Sequence, residues 1–177
     1  MEVLQGRPTD ETGRLEKEIA VYDLLDKLDI PFRRVDHVHA DTMEMCQEID
    51  QALGQDLCKN LFLCNRQKTK FYLLLMPGDK PFKTKDLSAQ IGSSRLSFGG
   101  AEDMERLLNL TPGSVTVLGL MYDPDCQVTL LIDQDLYQQS AFGCHPCINT
   151  STVQFSTADF REKLLPALGH PVTLVQL

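Results

Sequence analysis

The chain has 177 residues, of which 42% are hydrophobic and 24% are charged, and its formal net charge is −8. These values are typical of one globular domain, and the chain is too short for two domains of usual size. The negative charge disfavours non-specific binding to nucleic acid, and no apolar run is long enough to span a bilayer. Because residues 1–11 are polar and do not resemble a secretory signal, we expect a cytoplasmic protein without a membrane partner.

The first third of the chain predicts two helices around one short strand. A loose N-terminal segment, 1–11, precedes a single domain over 12–177. Apolar spacing over 15–28 predicts an amphipathic helix capped by Thr12. A short strand is expected over 32–38. Two histidines close that strand and are assigned no role: His37 and His39. Asp41 and Glu44 have the spacing of a capping box for a second helix, which Gly54 ends.

Paired strands are expected next, because apolar runs at 57–63 and 71–76 flank a polar stretch. The elements expected after this pair are, in order, a turn at 77–79, a helix over 84–91, a strand over 95–98, a helix over 101–108, a turn at 111–114, a hairpin of strands 115–120 and 127–132, an irregular stretch over 133–151, a strand over 152–155, a helix from the cap Ser156 to Gly169, and a strand over 172–176. Together they predict a mixed α/β fold, in which peripheral helices cover a largely antiparallel, curved sheet.

The basic residues are concentrated in one part of this acidic chain. Residues 59–95 contain eight basic and two acidic side chains, so this segment carries +6 and the rest of the chain −14. Such asymmetry arises from a solvated face of a hairpin and its following loop, or from a local patch that binds one polyanion. The sequence permits both interpretations.

Lys59 and Asn60 place two polar side chains inside an apolar run. A buried strand does not carry a lysine there unless the ammonium reaches an anion, a cavity or water. Either Lys59 extends to solvent from an edge strand, or it serves a binding site. A second polar cluster, with Gly143, His145 and Asn149, lies far along the chain. A functional role depends on whether the two clusters meet.

The motifs of several enzyme classes are missing. There is no Gly-rich phosphate loop before a helix and no nucleophile elbow. Cys144 and Cys147 have the spacing of a metal site, but no second pair exists, so we expect neither metal nor cofactor. Cys144 beside His145 is a weak nucleophile pair, since adjacent residues rarely face each other. Lys59, His145 and a turn at Gly113 remain, and they suit a site that holds a phosphate and polarises a carbonyl.

Four motifs in one order resemble the editing-domain family of aminoacyl-tRNA deacylases (the YbaK and prolyl-tRNA synthetase-associated domain family). The motifs are Lys59–Leu63, Pro77–Lys80, Thr111–Val115 and His145–Thr150. The resemblance runs from about Leu15 to the C-terminus, and it is greatest to the free-standing members. It implies a trans-editing hydrolase that cleaves the ester of a mischarged small amino acid, alanine above all, on proline tRNA. The implied partners are aminoacylated tRNA and, as a further candidate, prolyl-tRNA synthetase.

The resemblance also implies residue roles. Lys59 would engage the phosphate of the terminal adenosine, and His145 would order the acyl group or the attacking water. The implied substrate-binding residues are Asn60, Gly113, Ser114, Val115, Gly143 and Asn149. The candidate tRNA-binding residues are Arg66, Lys68, Lys70, Lys80 and Lys83.

One position departs from the family pattern. Val117 stands four residues after Gly113, where the family usually has a proline that fixes φ. The departure keeps a second hypothesis open, a catalytically silent module that binds tRNA or the synthetase. A third hypothesis is a generic small-molecule-binding α/β domain in which Lys59 only reaches solvent.

Overall fold

Nine strands and four α-helices form the framework in the computed structural model, which describes residues 1–177. The strands are β1 Leu4–Gln5, β2 Arg33–Asp36, β3 Lys59–Cys64, β4 Phe71–Met76, β5 Ser97–Phe98, β6 Val128–Asp133, β7 Ala141–Cys144, β8 Ser151–Ser156 and β9 Val172–Val175. The α-helices are α1 Glu16–Lys27, α2 Met43–Leu53, α3 Thr84–Ile91 and α4 Ala101–Leu108. None of the helices is long and apolar enough to cross a membrane.

Shorter helical elements complete the chain. The 3₁₀-helices are Val117–Tyr122 and Gln134–Gln138. A C-terminal helical segment consists of α-helical residues Thr157–Asp159, a π-helical turn Phe160–Leu164 and α-helical residues Leu165–Leu168. As expected, the hydroxyl oxygen of Ser156 caps this segment by accepting from the N–H of Asp159 (3.1 Å).

The strands form two sheets, with the orders β5-β3-β4-β6-β9 and β1-β2-β8-β7. The second sheet is antiparallel throughout, whereas β4, β6 and β9 of the first sheet run parallel. A hydrophobic core of 29 buried residues takes side chains from both sheets, and helix α1 covers it. Strand β4 is buried on both faces, and its outer face packs against α3 in a smaller core. The prediction of a mixed α/β domain is confirmed.

The predicted hairpin of strands 115–120 and 127–132 is wrong. Residues 117–122 form a 3₁₀-helix. Thr116 caps its first turn, because the Thr116 Oγ1 accepts a hydrogen bond from the N–H of Leu118 (3.3 Å). Strand β6 pairs with β4 and β9 instead. A short apolar run fits a buried helical turn as well as a strand, so periodicity alone does not separate them. Strand β7 also lies within the stretch expected to be irregular.

Two predicted helix caps are displaced. Leu15 occupies the N-cap of α1 without a side-chain hydrogen bond, while the N–H of Thr12 bonds to Asp10 (3.0 Å). Thr42 caps α2 by accepting from Met45 N (3.2 Å), so Asp41 is free for another contact. The N-terminal segment also differs from the expected loose tail, because β1 pairs with β2.

Candidate functional site

Lys59 and His145 line one cavity of about 510 Å³. The start of α2 and the turn after β4 form its other walls, through Met43, Cys46, Gly78 and Asp79. Gly78 lies so close to Leu57 that a Cβ would be 2.2 Å from the Leu57 carbonyl oxygen, so only glycine fits there. Lys59 and His145, one residue from each polar cluster and 86 positions apart along the chain, therefore meet at one cleft, whereas Asn60 and Asn149 do not line it.

Gly143 allows this approach. It lies buried in β7, where a Cβ would be 2.6 Å from Leu57 Cδ2. Its carbonyl oxygen is 3.6 Å from Cys58 Sγ, immediately before β3. A larger residue would push the segment that leads into Lys59 away from β7. Gly143 is thus a position of close packing beneath the cavity.

Lys59 and Asn60 project from opposite faces of β3, because successive side chains alternate along a strand. The Lys59 ammonium donates a hydrogen bond to the backbone carbonyl of Lys80. An ammonium has three donors, so it retains the capacity to bind a further acceptor. Asn60 turns its Nδ2 toward the Cys58 carbonyl (3.4 Å), while its Oδ1 is buried without a hydrogen-bond partner. A buried amide oxygen without a partner is costly, and a ligand donor would satisfy it.

His145 is held as a neutral imidazole. Its Nδ1 lies 2.9 Å from the Ser151 carbonyl oxygen. A carbonyl only accepts, so Nδ1 carries the proton and Nε2 keeps its lone pair. Burial lowers the pKa of His145 below its ordinary value of 6.5, although the Ser151 hydrogen bond opposes this effect. Near neutral pH the ring therefore offers an acceptor rather than a positive charge.

Gly113 and Asn149 meet beside a second cavity of about 690 Å³, which Asn149 lines together with Thr111 and Asp41. Gly113 has φ of 91°, and a Cβ there would lie 3.1 Å from Asn149 Nδ2. That nitrogen donates to Asp41 Oδ1 (3.1 Å), and Asn149 Oδ1 accepts from Ala40 N (3.2 Å). Asn149 therefore ties the Gly113 turn to the chain that enters α2, which borders the Lys59 cavity.

Ser114 and Val115 serve the turn and the core. Ser114 is buried, and both its N–H (3.1 Å) and its hydroxyl (2.8 Å) donate to the Thr111 carbonyl. The N–H of Ser114 is therefore already bonded within the turn, and its role toward a substrate stays a prediction. The side chain of Val115 packs against the main core, while the N–H groups of Gly113 and Val115 donate to no protein acceptor.

The predicted tRNA-binding residues divide into two groups. The ammonium of Lys80 lies 2.9 Å from Asp133 and 2.6 Å from Asp135, so it is already paired within the protein, and its contact with tRNA stays a prediction. The remaining four side chains are exposed and form no salt bridge. They are Arg66, Lys68, Lys70 and Lys83.

Cys144 and Cys147 are buried free thiols. Burial raises the pKa of Cys147 to about 12, and it also raises the pKa of Cys144. A thiol held protonated in this way is a poor nucleophile. No group of three or more His, Cys, Asp or Glu side chains is arranged to hold a metal ion.

Sequence reasoning missed two contributors to the site. Asp41 was expected to cap a helix, yet it binds Asn149, which is 108 positions away. His37 received no role, yet its ring centroid lies 6.0 Å from that of His145. The pairing of β2 with β8 places His37 there, and no local pattern indicates that pairing.

Two sheets around a shared core, with a lysine at the start of β3 and a histidine after β7 at one cleft, define a single-domain α/β protein with a polar cleft. The sequence profile of the aminoacyl-tRNA editing domain matches residues 37–163. The chain therefore belongs to the aminoacyl-tRNA editing domain family.

Individual relatives agree with this assignment. The chain is 31% identical over 163 residues to the prolyl-tRNA editing protein ProX of Acetoanaerobium sticklandii. The aligned region covers 92% of this chain and 99% of the relative. It is 28% identical over 162 residues to prolyl-tRNA synthetase associated domain-containing protein 1 of Danio rerio, covering 90% and 86% of the two chains.

A solved structure shares the fold. The crystal structure of a protein proposed to be a trans-editing enzyme for prolyl-tRNA synthetase superposes with a TM-score of 0.66 at 16% sequence identity. The match covers 92% of this chain and 98% of the other.

Proposed function

We propose that this protein is a trans-editing deacylase that hydrolyses the ester between a mischarged amino acid, alanine above all, and proline tRNA. Membership of the editing-domain family supports this reaction class, and the 31% identical relative is named as a prolyl-tRNA editing protein. The observation that carries the proposal is the shared cavity of Lys59 and His145. A synthetase pocket discriminates one methylene by only about 1–3 kcal/mol, so a second site that removes small amino acids is needed.

Substrate binding would use both faces of β3. Lys59 has free donor capacity beside its bond to the Lys80 carbonyl, and it would bind the phosphate of the terminal adenosine. The buried, unpartnered Oδ1 of Asn60 would accept a hydrogen bond from the same end of the tRNA. Such charge-assisted and buried contacts are worth more than exposed ones, because little water competes for them.

Hydrolysis would proceed by attack of water on the ester carbonyl carbon. The carbon–oxygen ester bond breaks, the amino acid leaves as a carboxylic acid, and the terminal ribose oxygen takes up a proton. His145 would accept a hydrogen bond from the attacking water or orient the acyl group through its unprotonated Nε2. The acyl group would extend from the Lys59 cavity toward the Gly113 turn, where the N–H groups of Gly113 and Val115, which have no protein acceptor, would stabilise charge on the carbonyl oxygen.

The turn between β3 and β4 would bind the tRNA backbone. Arg66, Lys68 and Lys70 lie in this turn, and Arg66 N donates to Ser94 Oγ (3.3 Å), which brings the neighbouring Arg95 alongside. The turn is separated from Lys59 by the length of β3, about 20 Å at the usual rise per residue. These cations would therefore contact phosphates several nucleotides from the terminal adenosine, and Lys83, at the start of α3, would form a separate contact with the tRNA.

The test is release of alanine from alanyl-tRNA for proline. We expect rapid release by the wild type, a kcat/KM lower by about 10–100-fold in Lys59→Ala, the range for loss of a charge-assisted hydrogen bond, and one lower by about 2–10-fold in His145→Ala, the range for a neutral one. Lys27→Ala is the matched control, since Lys27 is an exposed lysine in the last turn of α1. Equal rates in Lys59→Ala and the wild type would remove Lys59 from the mechanism.

The second candidate function is the silent binding module, which was raised by the departure of Val117 from the family pattern. Val117 is the first residue of a 3₁₀-helix, a position whose N–H needs no intrahelical acceptor and where proline is also accommodated. Valine therefore does not by itself disrupt the turn. Retained tRNA binding without any alanine release by the wild type would establish the silent module.

A further inference from the structure

A chain of hydrogen bonds connects His145 to two residues that do not line the Lys59 cavity. Strand β8 runs between β2 and β7, so its residue Thr152 is flanked by His37 on one side and His145 on the other. His37 Nε2 lies 2.9 Å from Thr152 Oγ1, and that oxygen lies 3.4 Å from His145 Nδ1. Thr152 has no exposed surface, so water does not replace these contacts.

With both imidazole rings neutral, one assignment of protons satisfies every contact in this chain. His37 Nδ1 lies 2.7 Å from the Val38 carbonyl, so Nδ1 carries the proton and Nε2 is an acceptor. The Thr152 hydroxyl must then donate to His37, which leaves its oxygen lone pairs facing the Nδ1–H of His145. The Ser151 carbonyl accepts from that same N–H (2.9 Å), so His145 is held by two acceptors.

The backbone fixes His37 in place. Its N–H donates to the Thr150 carbonyl (3.0 Å), which extends the pairing of β2 with β8 by one residue. His39, two residues later, is exposed and makes no hydrogen bond to Thr152. Of the two histidines that follow β2, His37 therefore belongs to this chain of hydrogen bonds and His39 does not.

We propose that His37 is a positioning residue that acts through the Thr152 hydroxyl to hold His145 in its Nδ1–H tautomer. By accepting the hydroxyl proton, His37 turns the oxygen of Thr152 toward His145. Without that acceptor, the hydroxyl is free to rotate and donate to His145 Nδ1. The ring would then carry its proton on Nε2, and it could no longer accept a hydrogen bond in the Lys59 cavity. The catalytic consequence rests on the proposed function, whereas the tautomer does not.

The first experiment reads the tautomer directly, from the ¹⁵N chemical shifts of the histidine rings in the free protein. We expect the Nδ1–H form in the wild type and a larger Nε2–H fraction in His37→Phe. His39→Phe is the matched control and leaves the His145 shifts unchanged. The double variant His37→Phe/Thr152→Val returns the ring to the Nδ1–H form, because only the Ser151 carbonyl then faces Nδ1. Unchanged His145 shifts in His37→Phe would overturn the proposal.

The second experiment uses deacylation. His37→Phe frees the Thr152 hydroxyl to donate to His145 Nδ1, so we expect kcat to fall about fivefold with KM unchanged, as for loss of one neutral hydrogen bond. Thr152→Val in the same background removes that hydroxyl and restores kcat, and Thr152→Val alone keeps the wild-type kcat. A double variant as slow as His37→Phe would show a packing effect and overturn the role of the hydroxyl. If the wild type released no alanine, the proposed function alone would fail, and the ring shifts would still decide the role of His37.

Discussion

Removing three cations from the β3–β4 turn is expected to flatten the salt dependence of tRNA binding. The variant is Arg66→Gln/Lys68→Gln/Lys70→Gln. All three side chains are exposed and free of salt bridges, so each is available to a phosphate and none holds the fold together. Each phosphate contact contributes about 0.7–0.9 to the slope of log K against log salt concentration, so the slope should fall by about 2–3.

This change in slope corresponds to a large difference in affinity. Between about 50 and 200 mM salt, three phosphate contacts account for a loss of about 20–40-fold in the binding constant. The wild type should show this additional loss and the triple variant should not. Fluorescence anisotropy with labelled proline tRNA, titrated at four or more salt concentrations, measures both slopes.

A second triple variant separates local contacts from net charge. Lys27→Gln/Arg161→Gln/Lys163→Gln removes the same number of cations from α1 and the C-terminal helical segment. We expect this control to retain the wild-type slope. Slopes reduced equally in both triple variants would refute a local binding surface, because net charge alone would explain them. Wild-type slopes in both variants would show that the turn is only a solvated face.

Three further predictions concern pH and stability. The folded protein holds the pKa of His145 below its ordinary value of 6.5, which is the value expected in the unfolded chain. At a pH between the folded and the unfolded pKa, the unfolded chain binds more protons, so stability falls as the pH is lowered. Urea unfolding near pH 7.5 and 5.5 should show a smaller difference for His145→Asn than for the wild type, and an equal difference would contradict this reasoning. Val117→Pro should keep the free energy of unfolding within about 1 kcal/mol, because the position begins a 3₁₀-helix and the preceding residue has the extended angles that proline requires; a loss of about 3 kcal/mol would show that the N–H or side chain of Val117 is needed. His170→Ala should cost about 1–3 kcal/mol in urea unfolding, because Nε2 of His170 lies 2.9 Å from Asp123, both side chains are only 1% exposed, and Asp123 loses one of its buried hydrogen bonds. The exposed His39→Ala should cost less than about 0.5 kcal/mol, and a similar small loss in His170→Ala would refute the buried pair.

Local patterns predicted most of the regular elements. The strands β3 and β4 and the helices α3 and α4 follow from apolar spacing bounded by turn residues, and all four are found where expected. Helix caps were less accurate. Thr42 rather than Asp41 caps α2, because neighbouring residues with similar capping ability differ only in the backbone angles of the folded chain.

Long-range pairing decided the features that the patterns misjudged. Lys80 belongs to a run of basic residues, but the fold brings it against Asp133, 53 positions away, which pairs its ammonium within the protein. Residues 117–120 of the apolar run are all buried, so the run shows no alternation that would identify a strand or a helix. Residues that are distant in sequence determine both outcomes.

The amino-acid sequence alone identified Lys59 and His145 as the polar residues that required an explanation, since each interrupts a pattern that predicts burial or a turn. Only the tertiary structure decided that they share a cavity, that Asn60 faces the other side of the strand, and that His37 lies behind His145. The reason is physical: side-chain chemistry and local spacing are encoded along the chain, whereas the approach of β7 to the start of β3 depends on which strands pair and on the space left at Gly143.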